Sequence, residues 1–328
     1  MGPSCIAIRR VSQTMKDAEK KDNNKKRHSK LHTATTIVLV IIFLAGLSLM
    51  LYPTVSNWWN QRHQTQAIAG YVKKTKDMSK EERKKMWDEA TAYNQKLSTQ
   101  QTSFNLTDAE MGEYNKTLDV TGTGIMGYIE IPSIKVSLPI YHGVDQAVLQ
   151  IAVGHIPGSS LPVGGSGSHC VLSGHRGLPS ATLFTHLDRM QVGDHFMLKV
   201  LDKTLTYEVD QIRTVLPDEI DDLDRVPGQD YCTLVTCTPY QVNTHRLLVR
   251  GHRVPNDLQV GDISEEAVKL DPKMAAAILG VVLYGLLLIV TFILSRRKQY
   301  LEKKDQKGTG NDGTTRRRFR KPRHKRKR

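Results

Sequence analysis

Two uncharged apolar stretches bracket this chain and limit its fold more than any other feature. Residues 33–52 contain the run Ile37-Val38-Leu39-Val40-Ile41-Ile42-Phe43-Leu44, and residues 274–294 contain Leu286-Leu287-Leu288-Ile289-Val290. As a helix, each is long enough to cross a hydrocarbon core of about 30 Å. A cleaved leader is the competing reading of the first stretch, but its apolar run is too long and no small-residue cleavage site follows it. The flanks explain the formal net charge of +14. Residues 1–32 hold 9 Lys/Arg against 3 Asp/Glu, and residues 296–328 hold 16 against 3. The tails therefore exceed the charge of the whole chain, and the region between them is mildly acidic. It has no basic groove to follow a nucleic-acid backbone. Positive charge just beyond each span predicts a two-pass membrane protein with 1–32 and 295–328 as basic cytoplasmic tails. The basic run Arg316–Arg328 reads as a topology anchor that also attracts anionic lipid.

The outer region, 53–273, divides by composition. Residues 53–124 read as helical up to about residue 100 and as an irregular linker from 98 onward. Ser79-Lys80-Glu81-Glu82 fits a capping box, after which Met86, Ala90, Tyr93 and Leu97 fall on one helical face. From residue 125 to about 255 the pattern changes to short β-type runs separated by Gly, Pro and Asp, at 127–131, 137–141, 170–172, 195–200, 204–209, 233–237 and 247–251. Seven or eight short strands with few helices predict a mainly β domain closed, or nearly closed, into a barrel. A linker, 256–273, leads to the second span.

The chemistry is concentrated in residues 231–250. An apolar run ends on Cys237, a turn-rich stretch follows, and Arg246 opens a second apolar run. Two strands joined this way bring a thiol and a guanidinium together at one end of a sheet. Upstream, Cys170-Val171-Leu172 leads into Ser173-Gly174-His175-Arg176-Gly177. A thiol needs a base and an anion-stabilising group for acyl chemistry, and these residues supply both. The alternative on residues alone is a buried structural cysteine with unrelated polar neighbours. Among the other cysteines, Cys5 lies in the N-terminal tail, and Cys170 and Cys232 lie inside apolar runs, where a free Cys is usually a small hydrophobe. His142, His155, His169 and His245 are the rivals to His175.

Thr233-Leu234-Val235-Thr236-Cys237 resembles the Thr-Leu-x-Thr-Cys signature of sortases, membrane-bound transpeptidases of Gram-positive bacteria. Further blocks continue the likeness in order: Met126-Gly127-Tyr128-Ile129-Glu130-Ile131-Pro132, Leu161-Pro162-Val163-Gly164-Gly165, the His175 motif with Leu178-Pro179, and Asn243-Thr244-His245-Arg246-Leu247. Several look most like class C, the pilus-assembling sortases. The resemblance implies an eight-stranded sortase-type barrel with N-terminal helices, flanked by the two transmembrane helices.

It also implies roles for the residues. Cys237 is the expected nucleophile toward a sorting motif of Leu-Pro-x-Thr-Gly type, His175 the general acid/base, and Arg246 the group that stabilises the substrate carbonyl or oxyanion. The implied acceptor is a pilin lysine amine. The runner-up is a cell-wall-anchoring sortase, whose acceptor is a peptidoglycan-precursor amine. An inactive membrane scaffold and a cysteine protease are the remaining readings. The implied partners are pilins or other surface proteins with C-terminal sorting signals, besides membrane lipid. Class C members often carry an Asp-Pro-aromatic lid ahead of the barrel. The corresponding stretch here, about 104–111, retains Asp108 but neither the proline nor the aromatic after it. Cys170 precedes His175, and Cys232 precedes Cys237, by the same offset. If the two strands are parallel neighbours as in sortases, these cysteines lie side by side. A disulfide there is geometrically awkward, so two buried thiols are the default. No metal-ligand cluster and no Gly-rich phosphate loop stand out, and no cofactor is expected.

Overall fold

The computed structural model describes residues 4–256 and, beyond them, only isolated helical positions between 280 and 297. The linker from 257, most of the second apolar span and nearly all of the C-terminal basic tail fall outside the described residues. Helix α1 (Ser4–Asp77) carries the first apolar stretch, with Ile37, Leu39, Ile41 and Ile42 exposed along it. By length and composition this helix is apolar enough to cross a membrane.

The C-terminal part of α1 docks on a β-domain. Tyr71, fully buried, donates its hydroxyl to the Met126 carbonyl at 3.0 Å and accepts from the Leu201 amide at 2.7 Å. Helix α2 (Lys80–Ser98) starts at Ser79 with the expected reciprocal capping box to Glu82. Its Ala90, Tyr93 and Leu97 are buried against the domain, as the helical spacing predicts. Asn94, on the same side, donates to the carbonyls of Leu161 and Gly164 and accepts from the Leu161 amide. The Leu161–Gly164 motif is thus held by backbone hydrogen bonds from a helix side chain. One expectation fails here. The segment taken as an irregular linker contains helix α3 (Asp108–Lys116), opened by a second capping box between Thr107 and Glu110.

The β-domain is a closed barrel of eight strands. In chain order these are β1 (Ile125–Ile131), β2 (Val136–His142), β3 (Val153–His155), β4 (Ser168–Ser173), β5 (His195–Val200), β6 (Lys203–Val215), β7 (Asp230–Thr238) and β8 (His245–Val254), with the short helix α4 (Gln146–Leu149) before β3. Around the barrel they run β1-β2-β3-β4-β7-β8-β6-β5. The pairs β2/β3 and β4/β7 are parallel and the rest antiparallel. The strand missed by periodicity is β3, which spans only Val153-Gly154-His155.

Period-two alternation separates two faces on β4, β7 and β8. Cys170, Leu172, Cys232, Leu234, Leu247 and Val249 belong to the main core. Val171, Val235 and Leu248 instead join Val215 and Leu223 in a smaller apolar cluster on the opposite face. Cys237 follows Val235 by two residues, and Arg246 precedes Leu248 by two, so both share this second face.

Candidate active site

The barrel brings the sequence-predicted residues to one end of three adjacent strands. Cys237 on β7 stands directly opposite Arg246 on β8. Side chains so paired share a face, with Cβ atoms about 5 Å apart. On the other side, β4 runs parallel to β7 with Ser173 paired to Val235. The pairing continues past the strand: the Gly174 amide donates to the Val235 carbonyl at 3.0 Å, and Thr236 Oγ1 donates to the Gly174 carbonyl at 2.7 Å. His175 therefore leaves β4 level with Cys237.

All three groups are half-buried. The His175 ring has no hydrogen-bond partner among the described residues, and burial holds its pKa below the ordinary value, favouring the neutral imidazole. Arg246 Nη1 donates to the carbonyls of Asn243 at 3.2 Å and His245 at 3.1 Å. No carboxylate pairs with it among the described residues, so its charge is oriented but not neutralised. A thiol flanked by an imidazole and a fixed guanidinium is suited to nucleophilic acyl transfer. Arg176 joins the two sides. It pairs with Asp188, donates to Thr238 Oγ1 at 3.2 Å, and lies 5.9 Å from the centre of the Tyr240 ring.

The rival histidines have other partners. Both His142 ring nitrogens meet carbonyls, of Gly124 and Thr117. His155 is fully buried between the Tyr114 hydroxyl and the Ser160 carbonyl. His169 bridges the Asp224 carbonyl at 2.8 Å and Thr233 Oγ1 at 2.7 Å, and burial pushes its pKa down to about 4. His245 pairs in register with Thr238, one position away from the Cys237–Arg246 pair, and so faces the other way.

Cys170 and Cys232 are exact register partners on β4 and β7, both buried and both free thiols. Burial pushes the Cys232 thiol well up, and the neighbouring thiol pushes it further. Burial also raises Cys170, but hydrogen bonding with Cys232 and the proximity of His155 outweigh it and bring that thiol below its ordinary value.

The residue considered for a lid is placed differently. Asp108 is the exposed first residue of α3, and its carboxylate has no hydrogen bond or ion pair among the described residues. Phe104, four residues earlier, packs with Ile156 on the cluster of Val171, Val235 and Leu248. It thus sits on the outward face that leads up to Cys237 and Arg246. Residues 100–104 form a strap across the barrel that Arg225 fastens, donating from its side chain to the carbonyls of Gly158 at 3.0 Å and Gln100 at 3.3 Å. At Gly158 the strap comes so close that a Cβ would lie 2.1 Å from the Ser103 carbonyl oxygen. The stretch 104–111 that corresponds to a lid thus begins with Phe104, and it is this aromatic rather than Asp108 that packs on the face of the site.

Comparison with known proteins bears on this geometry. The sortase domain model matches residues 129–254. Sortase C1 from Streptococcus agalactiae is 53% identical, with 58% of this chain covering 100% of that one at a TM-score of 0.58. The chain belongs to the sortase family. Sortase C of Streptococcus pneumoniae is 44% identical, with 58% of this sortase covering 97% of it at a TM-score of 0.53. Sortase A of Streptococcus agalactiae serotype III is 25% identical over 234 residues, 70% of this chain and 88% of the relative. Sortases are cysteine transpeptidases, and the structural neighbours of this one are of class C.

Proposed function

We propose that this sortase cleaves a Leu-Pro-x-Thr-Gly-like motif between Thr and Gly and transfers the acyl group to a lysine amine of a pilin. The reading is carried by the Cys237–Arg246 cross-strand pair with the His175 turn level beside it. Cys237 gives its proton to the neutral His175 imidazole and attacks the threonine carbonyl, forming a C–S bond as the carbonyl π pair moves onto oxygen. The bond to glycine breaks as His175 protonates the departing amine. Arg246 donates hydrogen bonds to the carbonyl oxygen as negative charge develops on it. The incoming amine then loses its proton to His175 and displaces the thiol, leaving an isopeptide bond. The pneumococcal relative is described in terms of pilin substrate specificity, which favours a pilin acceptor over a peptidoglycan precursor. The exposed apolar side chains of α1 favour a membrane anchor, with the catalytic barrel (125–255) outside the cell and both basic tails within.

The test is mass spectrometry of the full-length chain in detergent with a Leu-Pro-x-Thr-Gly peptide. A thioacyl adduct on Cys237, absent in Cys237→Ala, is the expected result. An adduct that water releases at the same rate with and without added amines overturns the transpeptidase reading in favour of a protease. In cells, a covalent ladder of surface protein indicates polymerisation, whereas a single wall-linked species indicates anchoring.

A further inference from the structure

Helix α1 carries a polar stripe that the proposed chemistry does not use. Asn57, Asn60 and Gln64 follow one another at i, i+3 and i+7, on the face that continues through Tyr71. All three bond to barrel loops at the same end. Asn57 Oδ1 accepts from the amide and the hydroxyl of Thr182, each at 2.9 Å. Asn60 Nδ2 donates to the Ser180 carbonyl at 2.9 Å, and Gln64 Nε2 donates to the Ile151 carbonyl at 2.7 Å.

Residues 175–184 form a loop whose base is His175. The Phe184 amide donates to the His175 carbonyl at 3.1 Å, closing that base. The Phe184 ring lies against Gly174, where a Cβ would be 2.7 Å from it. Between base and tip, Leu183 is held at φ 37°, a conformation that a leucine keeps only when its surroundings impose it. Those surroundings include the asparagines of α1, which grip the tip at 180 and 182. Asn57 lies five residues beyond the end of the apolar stretch, or about 7.5 Å along the helix axis.

We propose that Asn57 and Asn60 are positioning residues for catalysis: by fixing the tip of the 175–184 loop they set His175 against Cys237. The membrane-anchoring helix thereby completes the active site. This inference rests on the roles proposed above for Cys237 and His175.

The two contacts have opposite hydrogen-bond sense, which gives the test its discrimination. Aspartate at 57 keeps both acceptor contacts, whereas aspartate at 60 has no donor for the Ser180 carbonyl. The full-length chain in detergent is assayed with a Leu-Pro-x-Thr-Gly peptide and an amine acceptor, measuring kcat and KM separately. Asn57→Leu and Asn60→Leu are expected to lower kcat by about tenfold or more, with KM little changed. Asn57→Asp is expected to retain the wild-type rate and Asn60→Asp to match Asn60→Leu. If a leucine variant is poorly folded, the near-isosteric aspartate pair decides the question. Equal kcat in all four variants, or equal effects of aspartate at both positions, overturns the inference. A wild-type chain that never acylates overturns the proposed function, and this inference with it.

Discussion

At the scale of single residues, the site depends on what each side chain can donate or accept. Arg246 holds the Asn243 and His245 carbonyls through one nitrogen, and the rest of its planar fork has no other partner among the described residues. A lysine keeps the charge but not the fork. Arg246→Lys is therefore expected to lower kcat by about 10²-fold or more, with Cys237 still alkylated normally. His169 makes a different prediction. Its folded-state pKa, about 4, lies below the ordinary value near 6.5 because burial disfavours the charged ring. The unfolded chain thus takes up this proton first as pH falls. The stability contributed by the neutral His169 is complete above about pH 6.5 and is lost as pH falls through about 4, by up to about 3 kcal/mol. Chemical unfolding at pH 7.5 and pH 4 should show a smaller pH-dependent loss in His169→Gln than in wild type. Equal losses would remove His169 as a source of acid sensitivity.

At the scale of elements, the sequence was most legible where a pattern repeats. The capping box of α2, the apolar spacing along it and the longer strands all stand where period and cap residues indicate. β3 escaped notice because three residues containing a glycine carry no periodicity. α3 escaped because it is short and polar, although Thr107 and Glu110 stand at capping-box spacing. The Cys237, His175 and Arg246 motifs were readable because each ends or begins a strand. Their adjacency depends on β4 and β7 being parallel neighbours, a long-range pairing that no local pattern encodes. The lid stretch, about 104–111, was readable from the resemblance, but that Phe104 rather than Asp108 makes its contact was not, since an isolated aromatic shows its partner only in the fold. Phe104→Ala is expected to speed alkylation of Cys237 by iodoacetamide and to cost about 1–3 kcal/mol of stability. Asp108→Ala, at an exposed residue without side-chain partners among the described residues, should change neither. If instead Asp108→Ala alone accelerates alkylation, the strap is not the segment that limits access.

At the scale of the whole molecule, charge and apolar length make one prediction together. If both basic tails lie inside the cell as proposed, protease added to intact cells should leave epitope tags at either terminus uncut while degrading the domain between them. Cleavage of a C-terminal tag would leave α1 as a single anchor. The barrel itself bears on how substrates are met. Every strand has a neighbour on both sides. Where β4 extends beyond its short pairing with β3, the turn at 156–160 bonds to its backbone through Ile156, Ser159 and Ser160. An extended peptide therefore finds only short open lengths of strand to join, such as β6 from Gln211 to Val215, which pairs with β8 but not with β5. Most of the selectivity then falls to side chains and loops on the face of Cys237 and Arg246. The same closure confines strand-to-strand association between neighbouring copies of the chain to these short open lengths.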